Sequence, residues 1–155
     1  LAAVVAELLI KKKETLAVAE SCTGGLIANL LTNIAGSSEY FILSAVTYAD
    51  IAKQKMLGVR PEILKEYGAV HEETAKAMAA GARELSGATY AISTTGIAGP
   101  AGGNPEKPVG TVCIGLAGPA GVTSKRYHFL FGKRLLNKKI FTAQALNLLR
   151  RELLT

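Results

Sequence analysis

Three small nucleophilic side chains stand next to each other at the end of an apolar segment, in the run Ser21-Cys22-Thr23. The preceding residues, 15–20, predict a strand, and two glycines followed by an apolar helical stripe come directly after the run. In an α/β fold, such a junction places hydroxyl and thiol groups at the carboxyl end of a strand, beside the positive end of a helix dipole. Because glycines there let the main chain approach a ligand, the junction is a candidate site for nucleophilic chemistry.

The main-chain amides of residues 22–25 are the second feature of this junction. Amides at a helix N-terminus can hold an anion or the oxyanion of a tetrahedral intermediate. The same geometry also suits an ordinary helix cap made by Ser21 or Thr23, and the local sequence leaves both interpretations open. The G-x-S-x-G elbow of α/β-hydrolases is absent, because Ala19 and Thr23 occupy its glycine positions. No Ser-His-Asp triad is indicated.

Candidates for acid–base chemistry follow the second predicted strand, residues 41–48. Lys53 lies on a turn that is expected at the same sheet edge as Ser21, and desolvation that lowers its pKa from about 10.4 toward 7–8 would make it a base. Tyr48 ends the strand and could pass a proton to a leaving group. The alternative is that the lysine is solvated and the tyrosine packs as an amphipathic side chain.

Cys22 competes with Ser21 as the nucleophile, because a helix N-terminus lowers the pKa of a thiol. Neighbouring residues point in different directions, so only one of the two is expected to face a ligand. Cys22 and Cys113 have neither disulfide nor zinc spacing, and the two histidines lie far apart in the sequence. This usage predicts a reducing cytoplasm and no bound metal.

A third candidate segment is the polar loop at residues 95–108, which follows a predicted strand at 88–94. Successive main-chain amides among its glycines could form an anion-binding nest, with hydroxyl donors from Thr94 or Thr95. The loop is not a Walker loop, because no Gly-Lys-Ser/Thr follows it. Its length and its position after a strand favour a binding role over a plain crossover.

The rest of the chain alternates helices and strands. The periodicity predicts helices at 2–13 and 134–153, four further helices closed by Gly36, Gly58, Gly68 and Gly87, and a hairpin of strands at 109–117 and 122–131. Asp50 is expected to cap one helix, and His71 to cap or pack against another. The order predicts a mixed sheet with helices on both faces, in a single domain spanning 1–155.

The composition narrows the function classes. The net charge is +6, but aromatic residues make up only 6% and Trp is absent, which disfavours nucleic-acid binding and favours small anions such as phosphate esters. No apolar run reaches the roughly 18 residues of a membrane span, and no secretory signal pattern is present. Helix faces of small apolar residues are compatible with a homo-oligomer.

Several motifs, taken in order, carry a resemblance to a known family. They are Ala19-Glu20-Ser21-Cys22-Thr23-Gly24-Gly25, Val46-Thr47-Tyr48 with Ala52-Lys53, Leu57-Gly58-Val59, Gly68-Ala69-Val70 and Thr95-Gly96-Ile97-Ala98-Gly99-Pro100. Together they resemble the CinA C-terminal domain family, the nicotinamide-nucleotide amidohydrolases or NMN deamidases. The resemblance extends from residue 9 to about residue 149.

The resemblance implies a three-layer α/β/α sandwich with a mostly parallel sheet. It also implies an amidohydrolase of pyridine-nucleotide salvage that converts nicotinamide mononucleotide to nicotinate mononucleotide and ammonia, without a metal or cofactor. By the same resemblance, Ser21 is the nucleophile, Lys53 the general base and Tyr48 the proton donor. A non-catalytic nucleotide-binding module, or a cysteine amidase that uses Cys22, remains the alternative.

The substrate-binding positions are also implied by the resemblance: Cys22, Thr23, Gly24, Gly25, Thr94, Thr95, Gly96, Ala98, Gly99 and Arg134. The family usually has a Gly-Asp-Arg stretch before the last helix, which helps to bind the nucleotide. Here Gly132-Lys133-Arg134 departs from it at the acidic position, and Lys138 stands where a second arginine is common.

Overall fold

The structure is a computed structural model that describes residues 1–155. Its helices and strands are α1 (Ala2–Lys12), β1 (Leu16–Glu20), α2 (Leu26–Thr32), β2 (Phe41–Val46), α3 (Asp50–Leu57), α4 (Pro61–Tyr67), α5 (Glu72–Ser86), β3 (Tyr90–Gly96), β4 (Thr111–Gly118), β5 (Gly121–His128) and α6 (Arg134–Leu153). A short 3-10 turn at Ser37–Glu39 precedes β2. No helix combines the length and the apolarity that a membrane span requires.

The five strands form one mixed sheet in the order β2-β1-β3-β4-β5. The pairs β2–β1 and β1–β3 are parallel, whereas β4 runs antiparallel to both of its neighbours. Four strands therefore point one way and β4 the other, which confirms the predicted mixed and mostly parallel sheet. The carboxyl ends of β1, β2 and β3 meet at a single edge, where ligands bind in open α/β sheets.

Helices cover both faces of the sheet. On one face, α1, α2 and α6 bury large side chains such as Leu9, Ile27 and Phe141. On the other face, α3 and α5 pack over a smaller core of mostly alanines, with Leu57 and Met78 as its largest members. The three layers confirm the predicted α/β/α class.

The helix that carries Lys53 is held by backbone contacts at its C-terminal end. Gly58 has φ +65° and ends α3, and the Val59 N–H returns to the Lys53 carbonyl at 3.2 Å. On α5, Gly81 lies so close that a Cβ there would be 1.8 Å from the Leu57 carbonyl oxygen. Only glycine allows this approach, so α5 fixes where α3 ends.

Some predicted boundaries were wrong. The second strand ends at Val46, two residues before Tyr48, although the Thr47 N–H still bonds the Glu20 carbonyl at 2.8 Å. The third strand runs on to Gly96 because it pairs with antiparallel β4 as far as Val112, so Thr95 belongs to a strand and not to the loop.

Two predicted caps had different outcomes. His71 caps α5, since its Nδ1 accepts a hydrogen bond from the Glu73 N–H at 3.1 Å. Asp50 does not cap α3: Ala49 occupies the N-cap position without a side-chain hydrogen bond, and Asp50 is the first helical residue. Its carboxylate lies 3.6 Å from the Lys53 Nζ instead.

Candidate active site

Ser21 directly follows β1 at the carboxyl edge of the sheet. Its N–H donates to the Thr94 carbonyl at 3.0 Å, which ties the nucleophile candidate to the end of β3, and 9% of the residue is exposed. Gly24 and Gly25 then take φ values of +61° and +92°, which other residues rarely adopt. The sharp turn into α2 therefore depends on the two glycines.

The N-terminus of α2 is occupied by the side chain of Glu20, which is fully buried. Oε2 accepts hydrogen bonds from Thr23 Oγ1 at 2.7 Å, the Gly25 N–H at 2.9 Å and the Ile27 N–H at 3.2 Å, and Oε1 from the Ala28 N–H at 2.9 Å and Ser44 Oγ at 3.4 Å. A carboxylate in this position satisfies the otherwise unpaired helix amides and is stabilised by the helix dipole. Neither Ser21 nor Thr23 caps the helix.

Sequence reasoning missed the role of Glu20. The available signal was a carboxylate that ends an apolar strand just before a helix with a glycine at its N-cap. The hydrogen bonds of Glu20 decide which main-chain amides of residues 22–25 remain available to a ligand. Because Gly24 donates to the Ser21 carbonyl at 3.1 Å and Gly25 to Glu20, only the amides of Cys22 and Thr23 make no hydrogen bond to another residue.

Lys53 is buried, with 1% of the residue exposed. Its Nζ donates to the carbonyl oxygens of Thr47 and Tyr48, each at 3.0 Å. Burial lowers the pKa of this amine below its ordinary value, while the nearby Asp50 carboxylate acts in the opposite direction. The two carbonyls accept two of the N–H groups of the amine, and the Asp50 carboxylate lies 3.6 Å from it.

Lys53 and Ser21 lie at the same edge without touching. Thr47, whose carbonyl accepts from Lys53, donates its own N–H to the carbonyl of Glu20, the residue before Ser21. No hydrogen bond joins Lys53 Nζ to Ser21 Oγ. The nucleophile candidate thus follows β1, and the base candidate lies on α3 with its amine bonded to the segment that follows the neighbouring strand β2.

Tyr48 and Arg134 form the outer side of the site. Tyr48 is 59% exposed, and its hydroxyl oxygen accepts a hydrogen bond from Arg134 Nη2 at 2.8 Å. Arg134 Nη1 donates to the Gly99 carbonyl, also at 2.8 Å. The guanidinium therefore connects the segment after β2 to the loop after β3.

Asn137, one turn further along α6, was also missed by sequence reasoning. It is buried, and its Nδ2 donates to the carbonyls of Ala98 at 2.9 Å and Phe131 at 2.7 Å. Asn137 and Arg134 together hold the loop at residues 97–100 against α6. A polar residue inside a helix gives no sequence signal for such a distant contact.

The segments enclose a cleft of about 200 Å³. It is lined by Cys22, Tyr48, Gly96, Ile97, Ala98, Gly99, Ala101, Gly102 and Arg134. Gly99 has φ +84°, and a Cβ there would be 2.4 Å from Val109 Cγ1. Of the positions predicted from the sequence, the lining includes Tyr48 and five substrate-binding candidates, Cys22, Gly96, Ala98, Gly99 and Arg134, whereas Ser21 and Lys53 do not line this cleft.

The predicted threonine positions lie deeper. Thr94 Oγ1 shares a hydrogen bond with Thr23 Oγ1 at 2.8 Å, and Thr95 Oγ1 donates to the Ala69 carbonyl at 2.6 Å. All three threonines are buried. Their hydroxyls join β3 to the turn after β1 and to the segment between α4 and α5, and none of the three residues lines the cleft.

The expectation that the helix N-terminus lowers the pKa of Cys22 was wrong. Burial raises the pKa of this thiol to about 12, and the charge on Glu20 raises it further. Cys22 belongs to the larger hydrophobic core, and a raised pKa keeps its thiol in the protonated, weakly nucleophilic form.

A second cation lies near the junction. Lys138 Nζ is 3.3 Å from the point where a Cβ on Gly24 would stand. Together with Arg134, it places two positive charges on the α6 side of the cleft. No group of three or more His, Cys, Asp or Glu side chains is arranged to hold a metal ion.

The fold and the site define a three-layer α/β/α protein with its candidate site at the carboxyl ends of the parallel strands. The CinA C-terminal domain family matches residues 1–153. The chain therefore belongs to that family.

Comparisons with individual relatives and with solved structures support the same family. The chain is 59% identical over 150 residues to a CinA-like protein of Desulforapulum autotrophicum and 56% identical over 151 residues to one of Geobacter metallireducens, with 97% of this chain and 36% of each relative covered. It thus spans about a third of the length of these relatives.

Among solved structures, a competence/damage-inducible protein of Agrobacterium tumefaciens matches with TM-score 0.92 and 39% identity, over 99% of this chain and 95% of that one. A CinA-superfamily protein of Klebsiella pneumoniae matches with TM-score 0.93 and 34% identity, over 98% and 94%.

Proposed function

We propose that this chain hydrolyses the carboxamide of nicotinamide mononucleotide to nicotinate mononucleotide and ammonia. Membership of the CinA C-terminal domain family favours an enzyme of the amidohydrolase type. The observation that carries the proposal is the buried Lys53, whose lowered pKa favours a neutral amine beside the strand end that presents Ser21. Binding of a nucleotide alone needs no such base.

In the first step, the Lys53 amine takes the proton of Ser21 Oγ, and the oxygen attacks the carboxamide carbon. The two groups are not hydrogen bonded, so Lys53 must first turn away from one of its two carbonyl partners. This is the small rearrangement expected when a substrate tightens a site that is loose without it.

The tetrahedral intermediate places a negative charge on the former carbonyl oxygen. The Cys22 and Thr23 amides suit this oxyanion, because they directly follow Ser21 and bond no other residue. Each such donor contributes about 3 kcal/mol to catalysis in other enzymes. Glu20 supports the arrangement by holding the Gly25, Ile27 and Ala28 amides away from it.

The leaving ammonia needs a proton, which Tyr48 supplies. Arg134 donates to the phenol oxygen, so the hydroxyl proton of Tyr48 stays free to be donated into the cleft. The proton that Lys53 took from Ser21 then passes to the Tyr48 phenolate, which restores both groups. The neutral Lys53 amine next accepts a proton from water, the hydroxide attacks the acyl-serine ester, and the proton returns to Ser21 Oγ as the carboxylate product leaves.

The phosphate of the substrate is placed on the α6 side of the cleft. Arg134 and Lys138 supply positive charge there, and the Gly96–Gly99 segment supplies main-chain groups. Lys133, which replaces the acidic residue of the family pattern, adds a further exposed cation. The basic character of this side fits a phosphate monoester.

The test is release of ammonia from nicotinamide mononucleotide by the purified chain. We expect turnover by the unaltered chain and by Cys22→Ala, and a loss of at least about a thousandfold in kcat for Ser21→Ala. If the nucleotide binds without ammonia release, the chain is a non-catalytic binding module. If Cys22→Ala is inactive and Ser21→Ala is active, the nucleophile is the cysteine.

A further inference from the structure

The two edges of the sheet differ in charge. The edge strand β5 carries Lys125 and Arg126, the kind of charged residues that prevent an exposed edge from pairing with other strands. The opposite edge strand, β2, has the sequence FILSAV, with no charge and no proline. Against pairing it has a register irregularity at Ile42, which lies between Phe41 and Leu43, the partners of Leu16 and Ala17 on β1, and no charged side chain.

The absence of charge extends well beyond β2. The 29 residues at positions 21–49 contain one charged side chain, Glu39, although charged residues make up 19% of the chain. Within this stretch, Leu30 of α2 is 37% exposed, Ile42 is 50% exposed and Val46 is 48% exposed. An apolar, uncharged surface of this kind is typical of an interface core.

The main chain of β2 is available for pairing. Thr47 directs its N–H to β1, so by strand alternation the N–H groups of Val46 and Ser44 point to the open edge. Water can bond these groups in a single chain, and a partner strand with an open edge can take the place of that water.

We propose that β2 pairs antiparallel with β2 of a second copy of this chain, around a two-fold axis at Ser44. In that register Ile42 of each copy lies opposite Val46 of the other. The dimer therefore contains this apolar contact twice, once on each side of the axis. The two sheets join into one of ten strands. Both surfaces lack charge, and two chains of net charge +6 can approach there with the least repulsion.

A second copy fits this edge better than an unrelated partner, because the strand is complementary to itself. In the proposed register, Ile42 would lie opposite Val46 and Ser44 opposite Ser44, so apolar side chains meet apolar ones and hydroxyls meet hydroxyls. The flanking Leu30 extends the contact beyond the strands, as a stable dimer of about 1,200–2,000 Å² of buried surface requires. The inference is independent of the proposed reaction.

The test compares the mass of variants by sedimentation or by light scattering after size exclusion. The unaltered chain is expected at twice the 16.2 kDa of one chain. Ile42→Lys and Val46→Asp are each expected to raise the dimer dissociation constant about a hundredfold or more, because each dimer carries the buried charge twice. Val122→Lys, on the charged β5 edge, should leave the mass unchanged.

The double variant Ile42→Lys/Val46→Asp tests the register. In the proposed pairing each lysine faces an aspartate of the other copy, so the double variant should dimerise at least tenfold better than either single one. A monomeric unaltered chain, an equal effect of Val122→Lys, or a double variant weaker than both single ones would each overturn the proposal.

Hydrogen exchange tests the pairing in the unaltered chain, so this test does not depend on whether a variant folds. In the unaltered chain the amides of Ser44 and Val46 are expected to be protected at high protein concentration and to exchange faster on dilution. Exchange at a rate independent of concentration would refute the pairing.

Discussion

The floor and the rim of the site are built in opposite ways. On the floor, the Glu20 carboxylate and the hydroxyls of Thr23 and Thr94 are buried and hydrogen bonded to each other or to the main chain. On the rim, Tyr48 and Arg134 are exposed and are joined by one hydrogen bond. Buried polar networks are rigid and costly to disturb, whereas exposed charges are screened by water. The floor is therefore the rigid part of the site, and the rim is the part that can move.

The largest effect is expected at the base. Lys53→Met should lower kcat by about a hundredfold to ten-thousandfold, the usual contribution of a general base. The pH profile gives the decisive measurement. In the unaltered enzyme kcat/KM should rise with pH through a pKa below 10.5, because burial depresses the pKa of Lys53, and this limb should be absent in the methionine variant.

The same residue links stability to pH. Between the lowered pKa of the folded state and the 10.5 of the unfolded chain, the unfolded state binds more protons. The free energy of unfolding should therefore rise with pH in that window, and below it the folded chain bears the full cost of a buried charge. Urea titrations across the window should show a smaller rise for Lys53→Met. An equal rise in both proteins would contradict a depressed lysine.

The next effect tests the floor. Glu20→Gln keeps the shape of the side chain but replaces one accepting oxygen by a donor, which leaves one or more amides of α2 unpaired. The expected loss in unfolding free energy is about 1–3 kcal/mol. The exposed Glu7 of α1 provides the matched control, and Glu7→Gln should change stability by less than about 0.5 kcal/mol. Equal melting temperatures for the two variants would show that the Glu20 network contributes little.

The smallest effect is expected at the rim. Arg134→Lys removes the fork that holds both the Tyr48 oxygen and the Gly99 carbonyl, and it keeps the charge. KM for nicotinamide mononucleotide should rise about fivefold to tenfold, with a smaller change in kcat. Lys133→Met is the control for loss of a nearby exposed charge. A fall in kcat as large as that of Lys53→Met would assign Arg134 to the chemistry itself.

The sequence predicted the three-layer fold with its mixed sheet because that architecture follows from local patterns. Apolar strands, amphipathic helices and glycine end signals are repeated along the chain, and the Ser21 junction combines all three. The exposure of Ile42 and Val46 depends on which strand lies at the sheet edge, and that order is not a local property. In the structure β2 pairs only with β1, which places β2 at the edge of the sheet.

Other features could not be predicted because they depend on three-dimensional contacts. The pKa of Cys22 depends on burial that neighbouring residues do not reveal, and it outweighed the helix dipole. The role of Glu20 depends on the direction in which its side chain turns, and Thr95 joined a strand because distant β4 pairs with it.

Gly81 has no reactive group and lies on the face of the sheet opposite α6, yet its missing side chain governs where the Lys53 amine can reach. Any larger residue there would collide with the Leu57 carbonyl and push the lysine-bearing helix outward. Such a change would leave Ser21, Tyr48 and Lys53 intact and still misalign the proposed proton transfer. Part of the geometry of the candidate site is thus encoded in an inert position of the supporting layer, where a loss of the proposed activity would first look like a packing defect.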